Sequence, residues 1–426
     1  MKNEQDLFAS RRGWAWSIVA SMLLIVPVAF DGVMKDAFRG PKEIAFRGGA
    51  ILLFVIFCFL WTPALRLNWP AFRKPVILIP TSILLWASVT TLTSQNPRLS
   101  VDSLFTVVSS VIFFFGARFA LKTRRTPIAL DYVMVGPIIN AILEMMQEFG
   151  FWQPFHFPTY LTGHAASTAL LGNPNDVGVF LVLPAVVSVI AVATLPERRM
   201  VYLAIAAVII GGLVVSGTRT ALIAFVAAMI AAIVIQSRRV ALILLAALFL
   251  AVIPVALPTT KPGQDVRALM KAAKLRQYDI LFSERLPGFL AAVNMFRDHP
   301  FVGVGPGSYK FLYMPYRTAL SAEYPPEWTK GQAANFREVH NDHLQIIAET
   351  GFPGYSLAIA AILVLALPAR KGLSTSGDHM ARFARSLRLP LVTAAAVTAL
   401  AQFPFQLAAP RMAFLYFAAI CVTFDE

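Results

Sequence analysis

The stretch Val177-Gly-Val-Phe-Leu-Val-Leu-Pro-Ala-Val-Val-Ser-Val-Ile-Ala-Val-Ala-Thr-Leu195 contains no charged side chain and stops against Pro196-Glu-Arg-Arg199. An α-helix needs roughly 20 mostly apolar residues to cross the hydrocarbon core of a bilayer, and an uncharged run of about 18 already reads as a spanning helix. Working outward, similar runs recur at about 14–30, 48–65, 75–93, 104–121, 127–147, 201–216, 220–236, 240–258, 344–367, 389–407 and 411–424. Twelve spans are expected in all, some of them short or interrupted by Pro254 and Pro404. The first run lacks a small-residue cleavage site and ends in Phe30-Asp31, so it reads as a span and not as a signal peptide.

Composition agrees. Of 426 residues, 57% are hydrophobic, 12% aromatic and only 14% charged, with a mean hydropathy of +0.66. Soluble domains carry about 25% charged residues, so an ordinary soluble enzyme is excluded, as is a long disordered chain. Cys58 and Cys421 both lie in apolar runs, which leaves no disulfide framework and no zinc spacing. The net charge of +14 would suggest nucleic acid in a soluble protein; here it reads as membrane anchoring, with no nucleic-acid partner. With twelve spans and a cytoplasmic N-terminus, the inside segments hold nineteen Lys and Arg residues against seven in the short outside segments. That bias follows the positive-inside rule and leaves both termini cytoplasmic.

The expected organisation is helices one to nine in 1–258, one large outside loop at 259–340, and helices ten to twelve in 341–426. The loop is too long for a simple connector. Amphipathic helices are expected at about 266–282 and 285–298, the second stopped by Pro300.

Reactive side chains are densest where this loop returns to the membrane, at Arg337-Glu-Val-His340-Asn341-Asp342-His343. A histidine there suits general base work near neutral pH. The plain alternative is a helix start with Asn341 or Asp342 as N-cap. His340 and His343 have no obvious third ligand, so no metal is expected. Ser216-Gly-Thr-Arg219-Thr220 sets an arginine in a short outside turn, where it meets an anion or snorkels to headgroups. Arg285 and Arg297 lie on the loop, and guanidinium groups bind phosphate oxygens bidentately; each alone also reads as a solvated surface charge. Gly303-Val-Gly-Pro-Gly307 lacks the Lys-Ser/Thr ending of a nucleotide loop. Glu144 and Glu148 read as headgroup-facing, near the outer end of the fifth span.

Together these pieces resemble the O-antigen ligase and polymerase superfamily of bacterial membrane glycosyltransferases. His340-Asn341 followed by Gly351-Phe-Pro-Gly354 is similar to its His-Asn…Gly-x-x-Gly pattern. The block from Arg285 through Phe296-Arg-Asp-His-Pro-Phe-Val-Gly-Val-Gly-Pro-Gly-Ser308, the Ser216-Gly-Thr-Arg219 turn and Gly172-Asn-Pro-Asn175 resemble further family motifs in the same order. The resemblance implies an all-α, GT-C-like bundle in the inner membrane with its site facing the periplasm. It implies a glycan donor carried on undecaprenyl diphosphate, a lipid A–core or other glycan acceptor, surrounding membrane lipids and no cofactor. By resemblance His340 is the catalytic histidine, Arg219 binds the diphosphate and Arg285 is the second arginine. Arg297 and Arg337 are further candidates, with Asn341 and His343 in support. The resemblance leaves ligase, polymerase and protein glycosylation open, with the ligase favoured; a twelve-helix transporter is the alternative from another class.

Overall fold

The computed structural model describes residues 2–60, 74–121, 128–153, 166–235, 261–275, 284–325, 336–367 and 379–425, with a few single positions between them. The described residues are helical throughout, with no strand. In chain order the helices are α1 (Lys2–Ile25), α2 (Arg39–Leu60), α3 (Pro75–Leu92), α4 (Pro97–Leu121), α5 (Ile128–Glu148), α6 (Pro174–Thr194), α7 (Arg199–Val215) and α8 (Arg219–Ile235). After these come α9 (Lys261–Lys274), α10 (Leu286–Asp298), α11 (Tyr309–Glu323), α12 (Asp342–Ala366), α13 (His379–Ala399) and α14 (Ala408–Asp425).

Among the described residues, six segments are long and apolar enough to cross a membrane: Pro75–Leu92, Pro97–Leu121, Ile128–Glu148, Pro174–Thr194, Pro196–Val215 and Asp342–Ala366. Shorter apolar helices cover Arg12–Ile25, Arg219–Val234 and Ala408–Phe424. The run expected at 240–258 falls almost wholly outside the described residues. The span expected at 389–407 is corrected at both ends. The helix starts earlier, at His379, and stops at Ala399; Pro404, which has no N–H to donate back to Leu400 and restrains Phe403, keeps the following stretch from resuming it. Residues 400–407 form a loop instead.

Helix starts follow local chemistry. Asn173 caps α6 by accepting from the Asp176 N–H at 2.9 Å, and Pro174 follows at the first helical position, where its missing N–H costs nothing. α6 is the axis of the bundle. It is buried along nearly its whole length against α5, α7, α8, α13 and α14. In lipid, close packing takes the place of a hydrophobic driving force, so small residues mark the tight approaches. A Cβ at Gly212 of α7 would lie 2.6 Å from the Ala141 methyl of α5. A Cβ at Gly178 of α6 would lie 2.3 Å from Thr218 Oγ1. The Ser216–Arg219 turn is therefore seated directly on the first turns of α6, and Thr218 Oγ1 donates to the Pro174 carbonyl at 3.1 Å.

α12 is broken. Gly351 sits at φ 68°, ψ −175°, and Pro353 follows. Pro353 cannot donate to the Glu349 carbonyl, so backbone groups near the break need other partners. The stretch after α10 supplies them. Val304 N–H donates to the Ala348 carbonyl at 3.0 Å, Gly305 N–H to Glu349 at 2.9 Å, and Phe352 N–H to Pro300 at 2.8 Å. Trp86 of α3 donates through Nε1 to the Thr350 carbonyl at 2.8 Å. The Glu349 carboxylate accepts from Tyr309 N–H at the start of α11, 3.2 Å away. The Gly303–Gly307 segment thus works as a clasp between the loop helices and a spanning helix.

The loop helices differ in part from expectation. α10 matches the predicted 285–298, and the first predicted helix lies earlier, at Lys261–Lys274. α11 was not anticipated, although Tyr309, Leu312, Tyr313, Tyr316 and Leu320 recur at helical spacing and face α10.

A Cβ at Gly351 would lie 2.1 Å from the Phe301 carbonyl oxygen, on a backbone conformation that disfavours any side chain. Gly351→Ala is expected to destabilise the protein by about 2 kcal/mol or more. Thermal unfolding in detergent, monitored by size-exclusion chromatography, should show a clear fall in midpoint.

Candidate active site

The first residues of α2, α6, α10 and α12 meet the loop 400–407 at one end of the bundle. Asn341 caps α12, its Oδ1 accepting from Leu344 N–H at 3.0 Å. Gln345 reaches back to accept from Val339 N–H at 3.1 Å. These two bonds fix the backbone on both sides of His340, which is held at φ 59°, a left-handed conformation uncommon for any residue but glycine. Such strain clusters at functional sites because the surroundings must impose it.

The His340 ring lies edge-on to two aromatic rings, Phe336 with centroids 5.7 Å apart and Phe403 at 4.7 Å. Its Nδ1 is buried and meets no hydrogen-bond partner among the described residues. Burial, reinforced by the positive charges of Arg285 and then Arg39, holds its pKa down at about 3. The imidazole is therefore neutral at pH 7, with a lone pair available and cations beside it.

Arg285 precedes α10 and donates from Nη1 to the Ala401 carbonyl, which ties the long loop to the 400–407 loop. Burial, with the nearby Arg219 charge added, lowers its pKa to about 10. A buried guanidinium within the field of a second one raises the local positive potential, which favours an anion. Arg219 itself is the first residue of α8, presented by the turn described above. The structure thus sets Arg285 within electrostatic reach of both Arg219 and His340.

The remaining sequence candidates sit elsewhere. Arg297 lies on the exposed face of α10, paired with Glu323 at 2.9 Å and touching Asn294 and Tyr324. Arg337 is exposed and reaches Asp36 at 3.3 Å. His343 has both ring nitrogens engaged, Nε2 with the Ala396 carbonyl at 3.1 Å and Nδ1 with the Tyr355 hydroxyl at 3.3 Å. A carbonyl only accepts, so Nε2 carries the proton and Nδ1 accepts from tyrosine. His343 therefore pins α12 to α13, while Asn341 acts as the cap. No three His, Cys, Asp or Glu side chains form a metal-binding group among the described residues.

Sequence reasoning missed two participants. One is the 400–407 loop, concealed in an apolar run whose signal was Pro404. Besides Ala401 and Phe403 it presents Phe405, whose N–H donates to Asp342 Oδ2 at 2.9 Å. The other is Arg39, whose place in a short outside segment of the sequence gives no sign of a role. It pairs with Asp176 at 3.0 Å and Glu338 at 3.3 Å, and its guanidinium lies 5.1 Å from the Phe403 centroid.

Beside this cluster a cavity of about 640 Å³ runs between α3, α4, α12 and α14. Its head is polar, with Arg39, Lys310, Arg337, Glu338 and His343. Its body is apolar, with Ile79 and Ile83 of α3, Val107 and Val111 of α4, Ile362 of α12 and Ala418 of α14. The lining follows α14 from Ala408 to Val422, about 20 Å of helix. A polar head on an apolar slot of that length fits a lipid with an ionic headgroup.

Because the unfolded chain binds a proton at His340 near pH 6.5 and the native site does not, the native state loses stability as pH falls from about 6.5 toward about 4. Over that range the unfolding midpoint of His340→Gln should fall less steeply than that of the wild type, measured in buffers of constant ionic strength.

Residues 203–359 match the family model described as O-antigen ligase, which assigns this segment to the O-antigen ligase superfamily. The match runs from α7 into the second half of α12 and includes Arg219, Arg285, His340 and Gly351–Gly354. No curated protein sequence matches the chain.

Proposed function

We propose that this member of the O-antigen ligase superfamily transfers a glycan from undecaprenyl diphosphate to lipid A–core oligosaccharide at the periplasmic face of the bacterial inner membrane. In this reading the chain crosses the membrane twelve times with both termini cytoplasmic, as the distribution of basic residues favours. The observation that carries the proposal is a neutral His340 under the positive charges of Arg285 and Arg39, with Arg39 also lining the polar head of a long apolar cavity.

The prenyl chain occupies the cavity and its diphosphate lies against Arg219 and Arg285. The acceptor hydroxyl attacks the anomeric carbon of the donor sugar. A new glycosidic C–O bond forms, the bond to the diphosphate breaks with its electron pair, and undecaprenyl diphosphate leaves. The hydroxyl proton passes to His340. Negative charge grows on the leaving oxygen, where fixed guanidinium groups stabilise it without reorganising. The same event relieves the histidine. Arg285 and Arg39 hold the imidazole at low basicity, and a bound dianion cancels that positive field, so the base strengthens once the donor is in place. The glycan energy comes from the donor itself, so neither nucleotide nor metal enters the scheme.

Polymerisation onto a second lipid-linked repeat uses the same residues, and the acceptor separates the two activities. Purified protein is given an undecaprenyl-diphosphate glycan with either lipid A–core or a second lipid-linked repeat. Product is expected on lipid A–core. His340→Ala, Arg219→Ala and Arg285→Ala should each reduce turnover by about 100-fold or more. A ladder on the lipid-linked acceptor would make the protein a polymerase. Full activity in His340→Ala would remove the histidine from the mechanism.

A further inference from the structure

Arg39 lines the polar head of the cavity, and its side chain remains 30% exposed there. Its two carboxylate partners are unequal. Nε and Nη2 both donate to Asp176 Oδ2, at 3.3 and 3.0 Å, and the Asp176 side chain is only 3% exposed on the first turn of α6. Asp176 is fixed in turn by the Asn173 cap. Nη1 reaches Glu338 Oε1 by a single bond of 3.3 Å, and the Glu338 side chain is 20% exposed, against two bonds to the enclosed Asp176. Glu338 comes from the loop end beside His340, where burial pushes its carboxyl pKa upward. One partner is therefore an anchor and the other a loose occupant.

The position of the guanidinium matters as much as its partners. It lies over Phe403, the ring whose other neighbour is His340. Arg285 and Arg39 flank the histidine, and both act on it electrostatically. An anion held by Arg285 beside His340 is thus within the field of Arg39, and arginine has five N–H donors, of which the present bonds use three. An arginine with only a structural role would not need to face the cavity.

We propose that Arg39 is a third diphosphate-binding residue, anchored by Asp176 and passing from Glu338 to a phosphate oxygen when the lipid donor enters. This rests on the donor assigned above. Glu338 holds the Arg39 Nη1 that a phosphate oxygen would take, so donor binding displaces it, and the anion of the donor joins Arg39 to Arg219 and Arg285.

Calorimetric titration of undecaprenyl diphosphate into the full-length protein in detergent tests the proposal, with unfolding midpoints recorded for every variant. Arg39→Ala is expected to weaken binding about 10-fold or more, and Arg39→Lys less. Glu338→Gln removes the competing carboxylate and should tighten binding, an effect that disappears in the Arg39→Ala/Glu338→Gln double variant. A structural role alone would lower the midpoint and leave the Glu338→Gln effect absent. If Arg285→Ala weakens binding while Arg39→Ala does not, Arg39 is no ligand and the donor assignment stands. If the wild type does not bind the lipid diphosphate, the donor assignment falls as well. Should Arg39→Ala fail to fold, Glu338→Gln decides the matter, because it leaves the Arg39–Asp176 pair intact: tighter binding supports the exchange, and unchanged or weaker binding overturns it.

Discussion

The break in α12 at Gly351–Pro353 is the constraint from which the rest of the site follows. A membrane offers no water to an orphaned carbonyl, so a helix interrupted at that depth needs protein donors. Val304, Gly305 and Trp86 supply them, and Phe352 returns a bond to Pro300. The segment after α10 is thereby fastened to α12 through its backbone. The glycines are required because the two chains approach closer than a Cβ allows: one at Gly303 would lie 2.3 Å from the Glu349 carbonyl carbon. Once that clasp is closed, α10 and Arg285 at its head have little freedom relative to His340.

A second junction completes the geometry. Loop 400–407 receives Arg285 through the Ala401 carbonyl, His340 and Arg39 through the Phe403 ring, and Asp342 through the Phe405 N–H. Three parts of the chain, remote in sequence, are set by one short stretch that carries no ionisable side chain. Aromatic edges around His340 keep water from the ring and lower its basicity, while the arginines add a positive field to the same effect. Positive charge is thereby concentrated around the histidine, with Asp176 at 3.0 Å and Glu338 at 3.3 Å as the carboxylate partners of Arg39.

The buried carboxylates have distinct structural work. Asp176 orients Arg39, Asp342 holds the 400–407 loop, and Glu349 ties down the start of α11. None of them donates orientation to His340, whose ring is positioned by the backbone turn and by packing instead. That differs from a triad, where a carboxylate sets the tautomer of the histidine. It suits a base whose strength changes when the substrate anion arrives.

Much of this was legible in the sequence. Uncharged runs such as 177–195 dictate spanning helices because only internally bonded backbone is tolerated in lipid, and the His340-Asn341…Gly351-Phe-Pro-Gly354 and Ser216-Gly-Thr-Arg219 motifs marked the positions proposed above as the site. Asn341 as cap and α10 at 286–298 follow from local preference alone. Hydropathy, however, could not see that 400–407 leaves its helix, since Phe403 and Phe405 are as apolar as a span; only Pro404 hinted at it. Nor could spacing show that Arg39, far upstream, reaches His340 while Arg297, on a neighbouring block, turns outward to Glu323. Those choices depend on which helix ends converge. Convergence is set by close packing around α6 and by carbonyls that must find donors, which are properties of the assembled bundle and of no single segment.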